Sequence, residues 1–138
     1  MFGLLTVGMF LVSAVPVLAL ADDSAVNQEA YSNTQQVLKN PSERQKLLSK
    51  DAKAKAADSS VQALTGSPEL SEEVYALAAD IFEKLFKDTH GDTAKMNEVM
   101  SKAMRDPASF AGTLTSDQVK RLKELSSKIE SQKTNKSN

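Results

Sequence analysis

The chain has 138 residues, with 17 Lys and Arg against 18 Asp and Glu, a formal net charge of −1 and no cysteine. The absence of cysteine excludes a lipid-modified cysteine anchor, a disulfide framework and thiolate metal sites.

Residues 1–21 contain no charged side chain, and the apolar run ends in Ala19-Leu20-Ala21 before Asp22-Asp23. Small residues at −3 and −1 with acid following predict an export signal cleaved after Ala21. No Lys or Arg precedes the run. The alternative reading is a retained anchor, since about 20 apolar residues can just span a bilayer. Pro16 and the Ala-Leu-Ala site favour cleavage. A disulfide-free exported protein fits the bacterial periplasm better than a bridged secreted scaffold.

Residues 22–39, DDSAVNQEAYSNTQQVLK, are rich in Ser, Asn, Gln and Asp. They show no sustained apolar period and are expected to form a flexible linker. Asn40-Pro41-Ser42-Glu43 then opens a first helix, with Asn40 as cap and Pro41 at the first helical position. Ser49-Lys50-Asp51 interrupts it, because Ser and Asp offer the backbone competing bonds. A second run covers residues 52–64, with Ala57, Val61 and Leu64 on one side. The basic stretch from Lys39 to Lys55 could meet anionic lipid headgroups or nucleic acid. It has no interleaved aromatic residues, an exported protein meets little nucleic acid, and a solvated face is the favoured reading.

Residues 70–86 hold the strongest pattern in the chain. Leu70, Val74, Leu77, Ala78, Ile81, Phe82 and Leu85 repeat at helical spacing and draw one apolar stripe. Asp80/Lys84 and Glu83/Lys87 stand at i,i+4 with the acid first, the favourable order. Tyr75 and Phe86 lie beside the stripe and widen it. Gly66-Ser67-Pro68 precedes this central helix, and Gly91 is placed to end it in a left-handed conformation. Asp92 can cap a helix over residues 93–105, where Met96, Val99, Met100, Ala103 and Met104 keep the period. Residues 107–111 allow one helical turn that would drop Phe110 into the core. Thr115 and Gln118 form a capping box, with Leu114 and Val119 as staple. Val119, Leu122, Leu125 and Ile129 give the last helix a narrow stripe, which leaves a helical dimer open. Residues 131–138 lack apolar side chains and are expected to fray.

The fold expectation is therefore all-α. It is a small bundle of four to five helices over residues 40–130, after an N-terminal signal segment and a linker at 22–39, with a disordered tail at 131–138. No strand pattern is present.

Chemistry is sparse. The single histidine, His90, sits at a predicted helix end, where a cation is favoured. As a metal ligand with Asp88 and Asp92 it fails the EF-hand spacing, because aligning Gly91 with that loop's glycine puts Phe86 at the first ligand position. A zinc HExxH pair needs two histidines. Glu72 and Glu73 are adjacent and point to different azimuths, so they make a poor acid/base pair. There is no phosphate loop and no GxSxG elbow. No catalytic residue, metal or cofactor is expected, and the chain reads as a non-enzyme.

Leu114-Thr115-Ser116-Asp117-Gln118, followed by VKRLKELSSKIE, resembles the LTxxQ motif of small periplasmic helical proteins, the group that includes Spy-type chaperones and related stress regulators. The match covers about 15 residues. The family usually carries two such motifs, and the only candidate for the other here, Leu70-Ser71-Glu72-Glu73-Val74, lacks the glutamine. The resemblance implies a non-enzymatic chaperone or adaptor. Three functions stand open: an exported helical protein acting through protein contacts, a periplasmic client-binding chaperone, and a membrane-tethered subunit of an envelope assembly. Tyr75, Phe86, Met96, Met100 and Met104 are the candidate partner-binding residues, the methionines because their side chains repack easily. The expected partner is a protein, not nucleic acid, and a membrane only if residues 1–21 are retained.

Overall fold

A computed structural model describes residues 24–136, with side chains described over 28–135. The expected signal at 1–21 lies outside the described residues. Among those described, all regular structure is helical. Seven helices follow one another: α1 (Ser24–Lys39), α2 (Pro41–Leu48), α3 (Ala52–Thr65), α4 (Pro68–Asp88), α5 (Thr93–Arg105), α6 (Pro107–Ala111) and α7 (Ser116–Lys136). The sequence predicts four to five; the surplus is α1 and the single turn α6.

The helix starts follow from local chemistry. The side chains of Asn40, Asp51, Ser67, Asp92 and Asp106 each accept a bond from a backbone N–H of the helix that they open. Those N–H groups have no partner within the helix, so each cap satisfies an orphan donor. Thr115 and Gln118 bond reciprocally: Thr115 N–H donates to Gln118 Oε1 at 3.0 Å, and Gln118 N–H donates to Thr115 Oγ1 at 3.2 Å. This is the expected capping box.

The end of α4 departs from expectation. His90 takes the first left-handed position after the cap, with φ 55°, ahead of the expected Gly91. His90 N–H donates to Lys87 C=O and Gly91 N–H to Phe86 C=O, which closes a Schellman turn. Gly91 follows at φ 73°, and a Cβ there would stand 3.1 Å from the Phe86 ring. The glycine is left-handed as expected and is required for close approach to that ring as well as for φ; what the sequence does not predict is the left-handed His90 before it.

Helix α4 is the centre. Leu70, Val74, Leu77, Ala78 and Phe82 are buried, as the stripe predicts, and Ser71, Tyr75 and Ala79 are buried beside them. Three helices pack on it: α1, α3 and α7. Leu77 and Val74 are 1% exposed, and each such side chain contributes about 1.5–3 kcal/mol by leaving water. From α7, Leu122, Leu125 and Ile129 complete the core. Arg121 pairs with Asp80, and Lys128 Nζ reaches Glu73 Oε2 at 2.7 Å. Asp80 thus bonds α7 instead of Lys84, which pairs with Asp88. The Glu83–Lys87 pair forms as expected, at 2.6 Å.

Two expectations are corrected. Residues 24–39, within the stretch read as a linker, are helical and docked. Tyr31 stacks on Phe86 at 4.1 Å and on Phe82 at 5.7 Å between ring centroids. Gln35 Nε2 donates to Ala79 C=O at 2.9 Å, and Leu38 is buried. Tyr31, Thr34, Gln35 and Leu38 do share a helical face. Two of the four are polar, so the face is faint to an apolar count, and docking rather than intrinsic propensity supplies the stability. The tail is the second correction: α7 runs to Lys136. No Gly or Pro stops it, so the helix propagates beyond the last buried residue, Ile129. Among the described residues, no helix is long and apolar enough to cross a membrane.

Candidate functional site

Among the described residues, two hollows flanking α4 stand out. The first is a polar cleft of about 550 Å³ between α2, α3 and the N-terminal half of α4. Its inner wall is built on Arg44, which is 4% exposed. Arg44 Nη1 donates to the carbonyls of Val37 and Leu38, each at 3.2 Å, in the last turn of α1. Carbonyls at that helix end are the negative pole of the dipole, so a cation belongs there. Nη2 pairs with Glu72. The guanidinium also lies 3.9 Å from the centre of the Tyr75 ring, a cation–π contact. One side chain thereby joins α1, α2 and α4.

Asp58 of α3 stands on the same cleft and is 8% exposed. Tyr75 Oη donates to Asp58 Oδ1 at 2.6 Å, and Gln62 Nε2 donates to Oδ2 at 2.6 Å. Burial pushes the Tyr75 phenol far above its ordinary range. The hydrogen bond to Asp58 and the charge of that carboxylate push the same way, and Arg44 opposes them. Above the cleft, Thr65 Oγ1 and Ser71 Oγ share a bond of 2.6 Å across the α3–α4 turn.

The second hollow is an apolar groove of about 320 Å³ between the C-terminal half of α4, α5 and α6. Ile81, Leu85, Val99, Phe110 and Leu114 form its walls, all of them partly exposed. Phe110 therefore lines an open groove instead of closing the core. The rim charges pair locally: Lys84 with Asp88, Lys102 with Glu98 at 2.7 Å, and Lys95 with Asp92 at 3.5 Å.

The five candidate partner-binding residues do not form one surface. Tyr75 is buried under Arg44, and Met96 is 2% exposed in the core. Both are buried, Tyr75 against the inner wall of the polar cleft, so neither offers an open apolar face, which corrects both assignments. Phe86 is half-buried and covered by Tyr31 of α1. The helix mistaken for a linker is what hides it. Met100 is half-buried, and Met104 is 47% exposed. Of the five, Met104 alone is an open apolar contact.

Arg44 and Asp58 are missed by sequence reasoning, which places Arg44 on a solvated face and does not single out Asp58. Two signals were present. Arg44 is the single arginine in a run of lysines, and the planar guanidinium is the cation suited to buried pairing and ring stacking. Asp58 occupies the period of Ala54, Val61 and Thr65, the inner face of α3. Among the described residues, no group of three or more His, Asp or Glu is gathered as a metal site would need. No family model matches the chain, and neither a curated protein nor a solved structure matches it.

Proposed function

We propose that this chain is an exported, non-enzymatic helical protein of a bacterial envelope that acts by contacting another protein, and that the groove between α4, α5 and α6 is its contact face. The observation that supports this is the groove itself: five apolar side chains converge there and stay partly exposed. Exposed apolar surface ringed by charge is the common form of a protein contact. Export rests on residues 1–21 as a signal ahead of the helical bundle, and an Asp22 start in the exported protein tests it. Recovery with Met1 retained replaces export by the membrane-tethered reading.

The contact face is tested by co-purification from envelope extract with the wild-type protein and with Val99→Asp. A partner that accompanies the wild type and is lost with Val99→Asp supports the reading. Equal recovery by both proteins overturns it.

A client-binding chaperone is the second reading. It rests on the LTxxQ resemblance and on exposed Met104. Thr115 and Gln118 have a local role that accounts for both residues, the capping box at the start of α7. Suppression of the aggregation of an unfolded client near stoichiometric ratio favours this reading, and no suppression removes it.

A further inference from the structure

The polar cleft holds two buried charges, and they are answered unequally. Arg44 is spent inward: Nη1 on two carbonyls, Nη2 on Glu72, and its face on Tyr75. Asp58 receives only neutral donors, Tyr75 Oη and Gln62 Nε2. Among the described residues, no cation lies within ion-pair distance of it. Buried charges are ordinarily paired, because hydrogen bonds alone replace only part of the lost hydration. Each Asp58 oxygen carries one hydrogen bond, and an ionised carboxylate can accept about four in all. Glu72 adds a half-exposed carboxylate at the mouth, with Oε1 alone committed to Arg44. With the three charges on its wall, Arg44, Asp58 and Glu72, the cleft is net negative by one.

We propose that this cleft binds a primary ammonium group, seated against Asp58 with Glu72 at the entrance. An ammonium brings three N–H donors and a compact charge. It pairs Asp58 without contending for the side of Arg44 that faces α1. Both a small alkylamine and the lysine tip of a polypeptide carry this group, and the cleft of about 550 Å³ admits either. The site is separate from the apolar groove, so failure of one leaves the other standing.

The test is titration of the full chain with n-butylammonium and with a terminally blocked lysine peptide, followed by calorimetry and by amide chemical shifts. The expected result is saturation below about 10 mM, with shifts centred on Asp58, Gln62 and Glu72. Saturation by the peptide alone assigns the source to polypeptide, and saturation by both assigns it to the shared group. Asp58→Asn keeps the shape and should weaken binding at least about tenfold. Should that variant not fold, Gln45→Lys serves: Gln45 is an exposed wall residue, and its replacement puts a competing ammonium at the mouth. It should weaken binding by a similar factor. No saturation by either probe, or equal affinity in a folded variant, overturns the proposal.

Discussion

The two hollows beside α4 are built by opposite means. In the cleft, the polar groups are buried and bonded across helices, so one side chain ties three elements together. In the groove, the side chains are apolar and partly exposed, and the charges pair locally along the rim. The cleft holds the fold together around its buried charges. The groove is supported from behind and leaves its front open. Removing a cleft residue should therefore cost stability, whereas altering the groove should cost contact with a partner and little else.

The largest effect expected is from Arg44→Ala. It strips donors from two carbonyls, leaves Glu72 alone and uncovers Tyr75. Breaking a buried pair costs about 3–5 kcal/mol, and the half-exposed Glu72 places this one near about 3 kcal/mol. Urea unfolding measures it; a loss within error of zero would deny the cleft its structural role. Next is Tyr31→Ala, which removes the stack that pins α1 on Phe82 and Phe86. The expected loss is about 2 kcal/mol, at the low end for large-to-small change at a half-buried site. Hydrogen exchange should then show amides 24–39 opening ahead of α4.

Tyr75→Phe keeps the ring under Arg44 and takes one donor from Asp58. The expected loss is about 1–2 kcal/mol. It also carries a pH signature. The folded phenol holds its proton above its unfolded value of 10.0. The folded state then binds more protons than the unfolded state once pH exceeds about 10, and stability falls as pH rises further. Tyr75→Phe should flatten that alkaline fall and leave the neutral range unaffected in slope. Thr115→Ala removes half of the α7 capping box, for about 1 kcal/mol. Val99→Asp, on the groove wall, should shift stability least, by within about 0.5 kcal/mol, while partner recovery collapses. A large loss of stability from Val99→Asp would make the groove a structural element like the cleft and erase the contrast.

Much of the fold is legible in residue order, for reasons that differ from element to element. The stripe of α4 and the caps at Asn40, Asp92 and Thr115 are local signals, and local signals survive folding. Helix α1 is not local. Its inner face is Tyr31, Thr34, Gln35 and Leu38, and it holds because Phe82 and Phe86 lie opposite. The same dependence hides Arg44 and Asp58, whose burial is decided by helices far off in the chain. It also undoes Tyr75 and Phe86 as binding residues: they widen the apolar arc of α4, as their spacing says, but α1 and Arg44 take the added width. Met96 and Met104 share a helix and a residue type, and only their azimuths separate core from surface. The groove was illegible because Ile81 and Leu85, Val99, and Phe110 come from three helices.

The most direct measurement is photo-cross-linking in living cells from a photoreactive residue at position 99, on the groove wall, compared with the same residue at Lys123, exposed on α7. A discrete protein adduct from position 99 that is absent from position 123 is the predicted result. No adduct from 99, or the same adducts from both positions, would contradict the assignment of the groove as the working face.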